Sequence, residues 1–232
     1  MMLSFTSVLG TAIAALTILS TVQAAAVPTH IQFEKREIEG YCVFGLTYGK
    51  FKDVPVLGGI APIEDNAQEV ANFADDILTR MNATQLDYIG HSQGGILGRY
   101  WIKYLDGAGK INRMIGVSPI HHGTTLSGIT TFASALHILN PSQLLFDALN
   151  AGGDTSPGVI HSNIATRFDE IVTPWETCYQ EAPGITNTLL QNLCLLALNE
   201  HITIINSKIA LGWALNQLDP ATAKTANCQS VY

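Results

Sequence analysis

Residues 90–94 read Gly-His-Ser-Gln-Gly, which has the form G-x-S-x-G, and the residues on both sides fit that motif. Residues 85–89 (QLDYI) are typical of a short strand, and residues 95–101 (GILGRYW) are typical of a helix. A serine on a sharp turn between a strand and a helix has its hydroxyl lifted clear of the sheet, near the N–H groups that begin the helix. This stretch therefore predicts that Ser92 is a nucleophile and that the Gln93 N–H is an oxyanion donor.

Strand and helix patterns alternate outward from this motif. The alternation predicts a mostly parallel sheet covered by helices, in a single α/β domain. Strand patterns occupy residues 41–47, 85–89, 111–117, 159–168 and, less clearly, 187–195, and helix patterns occupy residues 64–81, 96–105 and 202–218.

The length and composition of the chain indicate how many domains it has and which partners are unfavourable. The chain has 232 residues, which suffice for one α/β domain with a full core. Charged residues make up 13% of the chain and its formal net charge is -7. An acidic surface with few charges argues against nucleic acid as a partner. A monomer is expected.

The N-terminus has features of a secretion signal. Residues 9–19 are mostly apolar, and residues 22–24 (VQA) suit a cleavage site of small residues. The first basic residue is Lys35, so the usual positive start is missing, but the apolar run is well short of the ~20 residues that span a membrane. We expect a signal peptide over residues 1–24, a domain over residues 25–232 and an extracellular location.

Secretion affects the interpretation of the four cysteines, because an oxidising compartment favours disulfides. Cys178 and Cys194 lie in one late region and are the predicted pair, although three connectivities exist. Cys42 lies in an apolar strand and is interpreted as a buried thiol. No cysteine pair has the spacing of a metal site, so no metal is predicted. Asn82 begins a glycosylation sequon, which is relevant in a eukaryotic host.

A serine nucleophile needs a base and an acid that orients the base, in the chain order serine, acid, histidine. Only His161 and His201 lie well beyond the midpoint, and only His201 follows the best acid. That acid is Asp169, because it directly follows an apolar strand, where ligand-facing residues collect. Glu170 is its closest rival. The acids between Ser92 and His201 include Asp106, Asp147, Asp154, Asp169, Glu170 and Glu176.

Three other histidines could be mistaken for functional groups. His91 is expected to pack beside the turn rather than to act as the base, because the side chains of adjacent residues point in different directions there. His121 and His122 are neighbours on an extended segment, so their side chains should point apart. This is unfavourable for a metal site, and we interpret both as structural or pocket-lining residues.

At these residues the sequence resembles the secreted class 2-type lipases and esterases of actinobacteria and fungi, within the α/β-hydrolase superfamily. The resemblance implies hydrolysis of carboxylic esters, with acylglycerols as substrates and no cofactor. It also implies that Ser92 is the nucleophile, His201 the general base and acid, and Asp169 its orienter. The resemblance covers about residues 38–220 and is carried by residues 41–49 (YCVFGLTYG), 90–95 (GHSQGG), 122–125 (HGTT), 165–174 (ATRFDEIVTP) and 200–201 (EH).

The sequence departs from this family near its start. Family members have a further strand, which lies between the strand at 41–47 and the one before Ser92. It ends in a His-Gly loop that supplies the second oxyanion donor. Only residues 27–40 lie between the predicted cleavage site and the strand, and residues 29–33 (THIQF) are the only substitute. The hydrolase domain is therefore interpreted as N-terminally shortened.

Other functions remain open on the sequence alone. A serine acyltransferase or peptidase would use the same three residues, although the apolar segments favour acyl chains over peptides. A truncated or non-catalytic lipid-binding relative would account for the missing strand. The apolar stretch over residues 126–149 is interpreted either as an acyl pocket or lid, or as ordinary core helices. An ester or lipid substrate, met at a lipid–water interface, is the expected partner.

Overall fold

The computed structural model describes residues 42–45, 61–125 and 143–229. The predicted signal peptide and the possible substitute strand at 29–33 lie outside these residues. So do residues 126–142, which form most of the apolar stretch interpreted as a pocket wall, a lid or core helices.

The five described strands form one parallel sheet whose spatial order is the order in the chain. The C-terminal ends of all five strands therefore lie along one edge of the sheet, which we call the carboxyl edge. The strands are β1 (Cys42–Gly45), β2 (Leu86–His91), β3 (Ile111–Val117), β4 (Ile160–Ala165) and β5 (Thr186–Leu189).

The strand β1 pairs directly with β2. Cys42 lies beside Asp87 and Gly45 lies beside Gly90, in parallel register. The resemblance to the lipase family implied another strand between these two. In this structure β1 itself occupies the position next to the strand that leads to Ser92.

The helices cover both faces of the sheet, as the sequence predicted. Tyr88 and Met114 pack in the core on one face, while their neighbours Ile89 and Ile115 pack in the core on the other. Successive side chains of a strand point to opposite faces, so both faces of β2 and β3 are buried. The helices are α1 (Ile63–Met81), α2 (Gln93–Tyr104), α3 (Gln143–Asn150), α4 (Leu190–Leu193) and α5 (Lys208–Leu218).

The α1, α2 and α3 helices pack on the face with Tyr88, and α4 and α5 pack on the face with Ile89. Small buried side chains at Ala67, Ala71 and Ala74 form the inner stripe of α1. In the described residues, no helix combines the length and apolar character needed to cross a membrane.

Two predicted elements are each divided in the structure, and the predicted strand at 159–168 is shorter, because β4 ends at Ala165. The last strand pattern, at 187–195, divides into the short strand β5 and the helical turn α4. The closing helix, predicted over residues 202–218, divides into a 3-10 turn at Thr203–Asn206 and the helix α5. The cause of the second break is Ser207, whose side chain accepts a hydrogen bond from the Ala210 N–H and so begins a new helix.

The predicted disulfide between Cys178 and Cys194 is wrong. Cys194 is bonded to Cys228, with a Cα–Cα distance of 4.8 Å, and Cys178 is a buried free thiol. Cys178 packs in the core on one face of the sheet, and Cys194 packs in the core on the other. A disulfide requires Cα atoms within about 7 Å, which two cores separated by a sheet do not allow.

The Cys194–Cys228 bond closes a loop with a sequence separation of 34. We expect the Cys228→Ser variant to lose about 4 kcal/mol of unfolding free energy, because the cross-link restricts the unfolded chain. Urea denaturation under non-reducing conditions measures this loss. Cys178→Ser is the matched control and should keep the cross-link. A peptide linking Cys178 to Cys194 in a non-reducing digest would contradict the assignment.

Candidate active site

Ser92 lies on a strained turn between β2 and α2. Its backbone angles are φ 55° and ψ -125°, a conformation that residues other than glycine rarely adopt. Strain of this kind persists only where the surroundings hold it, and it is common at functional sites. The turn holds the Ser92 hydroxyl at the carboxyl edge of the sheet.

Two glycines at this turn, one at the start of the motif and one just after it, have a steric explanation. A Cβ atom on Gly90 would lie 2.5 Å from the carbonyl carbon and oxygen of Gly94, and one on Gly95 would lie 2.4 Å from the Pro119 Cβ. Neither position can therefore carry a side chain without moving backbone. The buried Tyr88 hydroxyl donates to the Gly94 oxygen at 2.7 Å. This bond connects the start of α2 to the strand β2.

The structure brings Ser92, His201 and Asp169 together, although 109 residues separate the first two in the chain. The Ser92 Oγ and the His201 Nε2 are 2.8 Å apart, and the His201 Nδ1 is 2.9 Å from the Asp169 Oδ2. All three residues are buried. Because the carboxylate can only accept, Nδ1 carries the proton, which leaves Nε2 free to accept from the serine hydroxyl.

Both oxygens of Asp169 have partners. The Oδ2 faces His201, and the Oδ1 accepts from the backbone N–H groups of Ile171 and Val172, at 3.0 and 2.7 Å. A carboxylate held in this way cannot turn away from the imidazole. Asp169 follows β4 at the carboxyl edge, as the sequence predicted.

The rival acids lie elsewhere. Glu170 contacts the main chain of the histidine instead of its ring, because its Oε2 accepts from the His201 N–H at 3.2 Å. Asp154 pairs with His122 at 3.0 Å and with the buried Arg99 at 3.6 Å. Asp169 is therefore the acid that the fold places against the His201 ring.

A pair of carboxyl groups flanks the histidine. Burial raises the pKa of Glu170, and a hydrogen bond to the Glu200 carboxylate raises it further. Burial also acts to raise the pKa of Glu200, but hydrogen bonds from Thr203 and from the Ile202 N–H lower it overall. The pKa values of the two neighbouring carboxyl groups therefore shift in opposite directions.

Sequence reasoning did not identify the role of the His-Gly-Thr-Thr stretch at residues 122–125. The Thr124 hydroxyl donates to the Ile171 oxygen at 2.7 Å and accepts from the Thr173 N–H at 3.0 Å. The Thr177 hydroxyl donates to the Gly123 oxygen at 2.8 Å. These bonds fasten the end of β3 to the segment that carries the acid. The only sequence signal for this role is the pair of adjacent threonines, whose hydroxyls can bond to backbone groups.

His121 and His122 have different partners. The His121 Nε2 lies 3.0 Å from the Asn163 Oδ1, inside the core, while the His122 Nε2 faces Asp154 at 3.0 Å. Across residues 61–125 and 143–229, no group of three histidine, cysteine or acidic side chains could hold a metal ion. His121 is therefore part of the buried polar packing, whereas His122 lies at the surface and pairs there with Asp154.

Gln93 and Asn82 both lie at helix ends, and their predicted roles stay predictions. Gln93 is the first residue of α2, so its N–H lies at the start of the helix beside Ser92. Asn82 ends α1 with a φ of 51° and is exposed, which leaves the sequon accessible.

Comparison with solved structures places this architecture in context. Lipase B of Aspergillus fumigatus matches with a TM-score of 0.60 and 20% identity, over 74% of this chain and 48% of that one. The mature form of Bacillus licheniformis lipase BlEst2 matches with a TM-score of 0.55 and 15% identity, over 70% and 76%. A gene product of Listeria innocua matches with a TM-score of 0.55 and 14% identity, over 90% of this chain and 92% of that one.

These likenesses show the fold: the chain has the α/β-hydrolase architecture that the sequence predicted. The match spans about half the length of the Aspergillus lipase. No protein-family model and no curated protein sequence matches the chain.

Three buried histidines remain neutral in the folded protein. Burial is the main cause in each case, and it lowers the pKa of His91 to about 3, that of His161 to about 4, and that of His121 well below its ordinary value. In the unfolded chain the same groups titrate near 6.5. Below that pH the unfolded state binds more protons, so stability falls as the pH falls.

We expect the unfolding free energy to be level above about pH 7 and to fall below about pH 6.5. Each of the three histidines contributes a slope of about 1.4 kcal/mol per pH unit. Urea denaturation at several pH values between 7.5 and 5 measures the slope. The His161→Gln variant should reduce it by about a third. A flat profile over this range would show that the histidines are not buried in the neutral form.

Proposed function

We propose that this chain is a serine hydrolase that cleaves carboxylic esters, with acylglycerols as the favoured substrates. The observation that carries the proposal is the buried, hydrogen-bonded line from the Ser92 hydroxyl through the His201 ring to the Asp169 carboxylate. The strained turn at Ser92 and the α/β-hydrolase fold support it.

In the proposed reaction, the His201 Nε2 takes the hydroxyl proton as the Ser92 Oγ attacks the ester carbonyl. Asp169 keeps the Nδ1 proton in place and stabilises the imidazolium that forms. The Gln93 N–H donates to the developing oxyanion. His201 then returns its proton to the alcohol oxygen as the C–O bond breaks, which leaves an acyl-enzyme.

Water releases the acyl group in the second half of the reaction. The neutral His201 accepts a proton from the water as its oxygen attacks the acyl carbonyl, and then returns that proton to the Ser92 oxygen. The products are a carboxylic acid and the free enzyme. No cofactor is required by this chemistry.

An apolar surface next to His201 supports a lipid substrate. Leu195, Leu196 and Leu198 have 73%, 80% and 73% of their surface exposed, a few residues before the histidine. We call these three residues the leucine patch. Residues 182–199 contain no Lys, Arg, Asp, Glu or His. Large exposed apolar groups on a segment that itself has no charged side chain suit contact with acyl chains or with a lipid–water interface.

The leucine patch is held rigidly. Cys194, at its start, is fixed by the bond to Cys228, and its oxygen accepts from the Ala197 N–H at 3.0 Å. The Gln191 side chain donates to the Ala197 oxygen at 2.9 Å. Exposure of the leucines is therefore a property of a fixed backbone. The disulfide also supports the proposed extracellular location.

The first test is the Ser92→Ala variant, assayed with p-nitrophenyl butyrate. We expect a loss of at least about 10⁴-fold in kcat, because removing one member of such a triad removes most of its rate enhancement. The folded state is checked by thermal unfolding. Turnover at the wild-type rate would refute the proposed nucleophile.

Two neighbouring acids provide a matched pair for the same assay. Asp169→Asn should lower kcat by about 10⁴-fold, since the wrong tautomer of His201 would be favoured. Glu170→Gln retains an oxygen acceptor for the His201 N–H and should lose less than about tenfold. Equal losses in the two variants would argue against Asp169 as the orienting acid.

A second experiment tests the lipid substrate. Replacing all three residues of the leucine patch by serine should lower the turnover of emulsified triacylglycerol by at least about tenfold, because burial of one leucine contributes about 1.5–3 kcal/mol. Turnover of dissolved p-nitrophenyl butyrate should change by less than about twofold. Leu211→Ser, at an exposed position on α5, is the control. Unchanged turnover of the emulsion would exclude the patch as a lipid contact.

A further inference from the structure

His91 has a place in the site that the proposed reaction does not use. It is the last residue of β2 and directly precedes Ser92. Its side chain is 3% exposed, so it lies inside the protein beside the turn. A buried polar side chain needs a partner, and the identity of that partner indicates what the residue does.

One partner is the main chain of His201. The His91 Nε2 lies 2.8 Å from the His201 carbonyl oxygen, and the centroids of the two rings are 4.7 Å apart, with a tilt of 42°. A carbonyl oxygen can only accept, so the His91 Nε2 carries a proton and donates it. His91 thus contacts His201 through both a hydrogen bond and a ring face.

His91 is a neutral donor. Burial, followed by the proximity of His201, lowers the pKa of His91 to about 3. A neutral ring can hold a carbonyl beside a histidine that becomes cationic during the reaction, without adding a second positive charge in a site of low dielectric. A lysine or arginine in this position would repel the imidazolium.

The contacts of His201 then fall into two sets. Its ring is held by Ser92 and Asp169, and its main chain is held by Glu170 at the N–H and by His91 at the carbonyl. His91 and Ser92 are consecutive residues at the end of one strand. The same strand end therefore carries the nucleophile and fixes the distance at which the base approaches it.

We propose that His91 is a positioning residue, which sets the place of His201 relative to Ser92 by donating a hydrogen bond to the His201 carbonyl. The proposal rests on the proposed function, because it assigns His201 the role of base. Simple packing is the alternative, and it makes a different prediction. If the ring only fills space, then phenylalanine should replace it.

The experiment compares His91→Phe with His91→Gln, using p-nitrophenyl butyrate in solution. Phenylalanine keeps the ring and removes the donor, whereas the glutamine amide nitrogen takes about the place of Nε2. We expect His91→Phe to lower kcat by about 10- to 100-fold with KM within about twofold, because a small misplacement of the base slows proton transfer. His91→Gln should recover most of the loss.

His161→Phe is the matched control. His161 is equally buried but bonds to Gln180 and to the Ser156 N–H, away from His201. It should reproduce the loss of stability without the loss of kcat. A wild-type kcat in His91→Phe would overturn the proposal. A His91→Gln variant that folds normally and is no faster than His91→Phe would also overturn it.

A readout without turnover separates this proposal from the proposed function. Amide hydrogen exchange over residues 200–206 should be faster in His91→Phe than in the wild type, and unchanged exchange would overturn the positioning role. If His91→Phe does not fold, ¹⁵N NMR of the wild-type His91 ring decides, since loss of the Nε2–H tautomer excludes the bond. Absence of Ser92-dependent turnover would reject the proposed function while leaving both of these measurements informative.

Discussion

The strained backbone of Ser92 is the constraint on which the rest of the site depends. A residue with a side chain adopts φ 55° and ψ -125° only where its neighbours leave no alternative. Here the absence of a side chain at Gly90 lets β2 and α2 approach each other, and its absence at Gly95 leaves room for Pro119 after β3. Tyr88 ties the turn to the core. The core on both faces of the sheet supplies the stability that holds the turn in this conformation.

The parallel sheet explains how distant residues reach this turn. Each strand delivers its following loop to the same edge, so the loops after β2, β4 and β5 converge there. The threonine stretch after β3 joins the group by binding the segment that carries Asp169. The order of the sheet thus converts three separate sequence positions into one hydrogen-bonded line.

The sequence predicted most of this architecture for identifiable reasons. The pattern at 111–117 is mostly apolar, and the structure has β3 at those residues, with all of them buried except the partly buried Asn112 and Arg113. The rule of chain order selected Asp169 and His201, and the fold brings them together. The predicted strand at 159–168 was too long. The strand β4 ends at Ala165, and just beyond it the Thr166 hydroxyl accepts from the Phe168 N–H and turns the chain.

Other features were beyond sequence reasoning because they depend on tertiary position. Sequence spacing made Cys178 and Cys194 look like partners, but it gave no information about which face of the sheet each would occupy. The hydrogen bond from His91 to the His201 carbonyl cannot be predicted from residue types, since every residue has a carbonyl. Contacts to backbone atoms of distant segments are the part of a site that composition and periodicity cannot indicate.

The Cys194–Cys228 bond has a topological consequence for His201, which lies between the two cysteines. His201 belongs to a covalent ring, attached to the rest of the chain through both arms. A single proteolytic cut on either side of it leaves the histidine tethered through the other arm. The residue proposed as the base would therefore stay attached to the protein after a first proteolytic cut in this region.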